Sequence, residues 1–182
     1  MRGSLDRETL IELLDELSRR LERRRVRAQV YVIGGAAMSL AFDRARTTHD
    51  IDARIDSGHG ALTEAVREIA HERGLTGAWL NEQATANIPR APDTRVQTVY
   101  ESEYLTITGA PAEHILAMKL EAGRRTDIGD VATLIGHLGI TTAEEALAIH
   151  GRLFPESTRD SKAREIVEHV LADGDSGRKG PG

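Results

Sequence analysis

The chain has 182 residues, of which 40% are apolar, 29% charged and 3% aromatic, with a net charge of −5 and a pI near 5.8. That size and apolar content suit one domain, at most with a small helical appendix, and exclude wholesale disorder. The acidic balance argues against coating nucleic acid by bulk charge, the absence of cysteine excludes thiolate chemistry, and no apolar run of about 18 residues marks a membrane span, so a cytoplasmic protein with no membrane partner is expected.

Residues 5–25 are predicted as an amphipathic helix, because Leu10, Leu13, Leu14, Leu17 and Leu21 recur at helical spacing. Thr9 and Glu12 have the spacing of a capping box. Arg19, Arg20, Arg23, Arg24, Arg25 and Arg27 gather at its end. They read as a solvated face complementing the helix dipole, or as a patch facing RNA or nucleotide. Residues 28–33 are a buried strand, followed by Gly34-Gly35 and a short helix, AAMSLAF. Residues 51–56 alternate and form a second strand. A helix over 60–73 stops at Gly74. Residues 79–94, with Pro89 and Pro92, read as mixed loop, and Trp79 as core or as cover for a nucleotide. Two strands follow, 95–100 and 104–108. Pro111 opens a helix, Asp127 to Leu138 form another, and Thr142 with Glu145 caps a third that ends near Pro155. A last helix covers 158–172, and the polar end reads as a disordered tail.

The expected fold is α/β in the α+β sense: a small mixed sheet with packed helices and a helical C-terminal part. The boundaries are 1–109 for the core, 110–173 for the helical part packed on it, and 174–182 for the tail.

Chemistry concentrates in Thr48-His49-Asp50-Ile51-Asp52-Ala53-Arg54-Ile55-Asp56. In a strand, Asp50, Asp52, Arg54 and Asp56 share one face and Ile51, Ala53 and Ile55 the other. Asp50 and Asp52 then stand about 7 Å apart at the backbone and can converge on a divalent ion. Oxygen-only ligands suit Mg²⁺; an edge strand with a solvated acidic face is the plainer alternative. Gly34-Gly35, between strand and helix, lets a phosphate approach the backbone, or is simply a tight turn. Of the 24 basic residues only Lys119, Lys162 and Lys179 are lysine, and Lys119 lies in an otherwise apolar helix. The seven histidines are scattered without paired spacing.

Strand, Gly-Gly, short helix and Arg46-Thr47-Thr48-His49-Asp50-Ile51-Asp52 resemble the DNA polymerase β-type nucleotidyltransferase superfamily. They are most similar to its minimal members, among them the AbiEii-type toxins. A second stretch, from Leu116 through Lys119, Arg124 and Asp127 to Asp130, is similar to the later motif of that group, so the resemblance covers about residues 28–138. It implies transfer of an NMP from an NTP to a hydroxyl on RNA, protein or a small molecule, with tRNA as the acceptor of a toxin and an antitoxin as its partner. Gly34 and Gly35 would hold the triphosphate, and Asp50 and Asp52 the Mg²⁺. Arg46, Thr48, Lys119, Arg124, Asp127 and Asp130 would line the nucleotide site, with Lys119 counted among the catalytic residues. The superfamily usually carries a third carboxylate on a later strand. Strand RVQTVY has none, which leaves Glu101, Asp56 or Asp130 to serve. Otherwise the protein is catalytically degenerate and binds a nucleotide or a partner protein.

Overall fold

Five strands form one mixed sheet in the order β3–β2–β1–β5–β4. They are β1 (Ala28–Val32), β2 (Ile51–Ser57), β3 (Leu80–Asn81), β4 (Gln97–Glu101) and β5 (Leu105–Gly109). The computed structural model describes residues 4–43, 45–90 and 95–178, with side chains as far as 173. Residues 91–94 of the predicted loop and 179–182 of the predicted tail lie outside the described residues. Two units divide the chain: Met1–Ala86 with Thr94–Ala110, and Asn87–Asp93 with Pro111–Gly182.

The first unit is the sheet and the helices around it. β1 runs antiparallel to β2 and parallel to β5, which pairs antiparallel with β4, while β3 adds to β2 in parallel. Alternation puts Val30, Val32, Ile51, Ala53, Leu105 and Ile107 in the core, all at most 1% exposed. Their cover is α1 (Arg7–Arg24) and α3 (His59–Arg73), whose apolar stripes are buried at Leu10, Leu13, Leu14, Leu17 and Leu21 and at Leu62, Ala65, Val66 and Ile69. Trp79 belongs to this core, with its indole N–H donating to the Val66 carbonyl at 2.9 Å.

α1 starts one turn earlier than the Thr9–Glu12 box would place it. Asp6 is the cap, its Oδ1 accepting from the Thr9 N–H at 2.9 Å. The arginine cluster also divides. Arg20 is 6% exposed and meets Glu16 at 2.8 Å, Glu68 at 3.0 Å and Glu72 at 2.5 Å. Arg24 joins Glu68 at 2.7 Å. These two guanidiniums lock α1 to α3 and are not part of a basic patch. Within predicted loop 79–94 the chain forms β3 and a 3₁₀ turn at Thr85–Asn87. Two strand residues are too few to leave a period.

The second unit is helical: α4 (Ala112–Ala122), a 3₁₀ turn (Arg125–Asp127), α5 (Ile128–Leu138), α6 (Ala143–Leu153) and α7 (Asp160–Arg178). Pro111 is the N-cap of α4. The capping box forms as spaced: Thr142 Oγ1 accepts from the Glu145 N–H at 3.3 Å, and Glu145 Oε2 accepts from the Thr142 N–H at 3.2 Å. His150 is a buried structural residue, 2.9 Å from Glu121, which also accepts from Ser157 at 2.6 Å. The backbone of α7 stays helical through Arg178, so the tail predicted from 174 is helix as far as 178. No proline interrupts it before Pro181.

Candidate functional site

The site is built where β1 turns into the next helix, against the start of β2. The Ile33 N–H donates to the Asp52 carbonyl at 3.0 Å, extending the ladder one step past β1. Gly34 then takes φ +63°, a left-handed conformation that suits glycine. A Cβ on Gly34 would lie 3.4 Å from Asp52 Oδ2, and one on Gly35 would lie 2.6 Å from Thr48 Oγ1. The two glycines therefore let the turn lie directly on Thr48 and Asp52. The regular helix that follows, α2, is only Gly34–Ala37 before a π turn at Met38–Phe42. Four residues add little dipole, so the turn offers bare backbone more than a helix end.

Thr48 is held rigidly. Its N–H donates to the Leu5 carbonyl at 2.9 Å, its carbonyl accepts from the Leu5 N–H at 2.6 Å, and its Oγ1 donates to the Asp50 carbonyl at 3.0 Å. Asp50 sits one residue before β2, where the Ile51 N–H donates to the Trp79 carbonyl at 2.7 Å. Asn81 of β3 pairs in register with Asp52, and its Nδ2 donates to Asp50 Oδ2 at 3.4 Å. Asn81 thus pairs with Asp52 along the backbone and touches Asp50 through its side chain. Beyond β3 the Glu82 side chain continues the contact: Oε1 accepts from the Ile55 N–H at 3.0 Å and Oε2 meets His59 at 2.8 Å. The backbone N–H of Ile55, with smaller help from His59, holds the Glu82 carboxyl below the usual carboxylate range. Further along the polar face, the Arg54 guanidinium lies 4.8 Å from the centre of the Tyr31 ring and pairs with Asp56 at 2.6 Å.

Gly34, Gly35, Thr48, Asp50 and Asp52 are thus brought together. Arg46, half-buried, donates to the neighbouring Thr47 carbonyl. The later motif forms a cluster of its own in the helical unit. Lys119 is 8% exposed, with Nζ 2.8 Å from Asp127 Oδ1 and 2.6 Å from Asp130 Oδ2. Asp127 makes no capping bond to α5 and serves this ion pair instead. Arg124 is exposed just before the 3₁₀ turn.

Two of the three carboxylates expected to complete the site stand away from the aspartate pair. Glu101 ends β4, three strands from β2, about 14 Å by the usual strand spacing. Asp56 lies four residues along β2, about 13 Å from Asp52, and engages Arg54. Asp130 is engaged by Lys119. Among the described residues no group of three or more His, Asp or Glu side chains is placed to hold a metal ion. The oxygen donors beside the turn are the carboxylates of Asp50 and Asp52, a chemistry that would suit Mg²⁺, which keeps water and substrate phosphate in its other positions. Asn81 is the residue that sequence reasoning missed, because it falls in a stretch read as loop.

The sheet order, the Gly-Gly turn and the carboxylates on the adjacent strand make this a small nucleotidyltransferase-type α+β fold. Comparison with curated proteins and with solved structures gave no match. A family model described as "Nucleotidyltransferase of unknown function (DUF6036)" matches residues 8–169, and the chain belongs to that family.

Proposed function

We propose that the protein is a Mg²⁺-dependent nucleotidyltransferase that moves an NMP from an NTP to a hydroxyl acceptor. The carrying observation is that Asp52 Oδ2 lies against the side-chain-free Gly34-Gly35 turn, with Asp50 two residues before it at the start of β2. Bound Mg²⁺ supplies neutralisation of phosphoryl charge and activation of the attacking oxygen. The acceptor oxygen bonds to the α-phosphorus, the α–β anhydride bond breaks, pyrophosphate leaves, and the hydroxyl proton is released to solvent. In this reading Asp50 and Asp52 hold the cation, and the turn leaves room for the triphosphate. Thr48 fixes the Asp50 backbone through its 3.0 Å hydrogen bond. Arg46 adds positive charge for phosphate. The resemblance to AbiEii-type toxins supports tRNA as the acceptor and an antitoxin as the partner.

The test is incubation with Mg²⁺, each α-labelled NTP and total RNA or cell extract. Label transfer is expected, and it disappears in Asp50→Ala and in Asp52→Ala. Equal labelling by the wild type and both variants refutes the site. Mg²⁺-dependent nucleotide binding without transfer favours a degenerate, binding-only protein.

A further inference from the structure

We infer that Asn81 fixes the cation complement of this site at one. The inference rests on the reading of Asp50 and Asp52 as cation ligands. It adds what their neighbour does.

The orientation of the Asn81 amide is decided by its partners. Its Oδ1 accepts from the Gln83 backbone N–H at 2.9 Å, and its Nδ2 donates to the Ala78 carbonyl at 3.1 Å. A backbone N–H can only donate and a backbone carbonyl can only accept, so the amide cannot be flipped. What it turns toward Asp50 Oδ2, 3.4 Å away, is therefore an NH₂ group. That group has no lone pair to give a metal and carries partial positive charge.

The strand register makes the position matter. Asn81 pairs with Asp52 on the strand that borders β2 on its outer side. A carboxylate in that place would be a third anionic oxygen donor beside the pair. The Glu82 bond to the Ile55 N–H keeps this segment against β2, so the amide is a fixed part of the site. Paired catalytic metals sit about 4 Å apart. At a given separation two divalent ions repel about four times as strongly as two unit charges. Two carboxylates balance one divalent cation and leave that repulsion uncompensated for two. Asn81 acts through Asp50 and is a positioning residue.

The experiment is a Mn²⁺ titration of the full chain, counted by electron paramagnetic resonance without nucleotide. One Mn²⁺ per chain is expected, lost in Asp50→Ala and in Asp52→Ala. Asn81→Asp, close to isosteric, is expected to admit a second Mn²⁺ or to tighten the first by about tenfold. Asn81→Ala is expected to weaken the single site and add none. Two Mn²⁺ in the wild type, both dependent on the aspartates, overturns this inference and leaves the nucleotidyl-transfer reading standing. Unchanged count and affinity in a folded Asn81→Asp also overturns it. Absence of any aspartate-dependent Mn²⁺ in the wild type sinks the underlying reading as well. The wild-type count stands as a test even where a variant fails to fold.

Discussion

Replacing Gly35 with alanine sets a methyl group 2.6 Å from Thr48 Oγ1 and 3.1 Å from Thr48 Cβ, so something must move. Thr48 is poorly placed to do so, because both of its backbone hydrogen bonds go to Leu5 and its hydroxyl is committed to the Asp50 carbonyl. Overpacking of this kind costs about 1–3 kcal/mol. If the hydroxyl rotates away, its hydrogen bond adds about 1 kcal/mol. Alanine recovers about 1 kcal/mol of helix propensity over glycine. With the hydroxyl displaced, the expected net loss is about 1–3 kcal/mol. Thr48→Ala alone should cost about 1 kcal/mol through the lost bond. In the double variant the oxygen contact is gone, so most of the Gly35→Ala penalty should vanish. Urea unfolding of the four proteins closes the cycle, with an expected coupling of about 1 kcal/mol in favour of the pair. Additivity within about 0.5 kcal/mol would show that Gly35 and Thr48 do not press on each other.

Gly34→Ala forces a non-glycine residue into φ +63° and should cost about 1–2 kcal/mol in urea unfolding; an unchanged midpoint would show that the turn tolerates a side chain. Lys119→Met leaves Asp127 and Asp130 facing each other with Asp130 buried; a loss of about 3–5 kcal/mol is expected in thermal or urea unfolding, so activity lost in this variant must be compared with Lys119→Arg. For Glu16, burial opposes ionisation, but the Arg20 and Arg73 guanidiniums outweigh it and hold the carboxyl below its usual value, as Arg24 and then Arg20 do for Glu68. Carboxyls lowered in the folded state stabilise fully above the unfolded value of about 4.3 and lose that stabilisation as pH falls through the lower folded value. Urea midpoints should therefore drop below about pH 4.3, and more shallowly in Arg20→Met; parallel profiles for the two proteins would refute the link. Thr142→Ala removes the cap of α6 and should cost about 1 kcal/mol, read from the unfolding midpoint.

Much of this follows from local pattern. β1, β2 and the leucine stripe of α1 declare themselves by period, and the Thr142–Glu145 box forms as its spacing requires. Asp52 is legible as a strand residue on the face opposite Ile51 and Ala53, because alternation in a strand is a strong rule. What stayed hidden depends on pairing between distant segments. Arg20 follows the leucine stripe closely enough to be buried, but nothing in α1 says that α3 brings Glu68 and Glu72 to meet it. Lys119 reaches Asp127 and Asp130 across the helix break at Gly123, where no single helical period relates them.

The position of Glu101 is the same problem at the level of the sheet. Sequence shows that β4 and β5 are neighbours in the chain and acidic at their junction. It does not show which of them pairs with β1. β5 takes that place, in parallel, so β4 and Glu101 are carried to the edge farthest from β3. On the other side of β2 a strand of two residues sets Asn81 beside Asp52. Strand order has thus removed a carboxylate from the aspartate pair and supplied an amide, and the charge of the site follows from topology as much as from its motif.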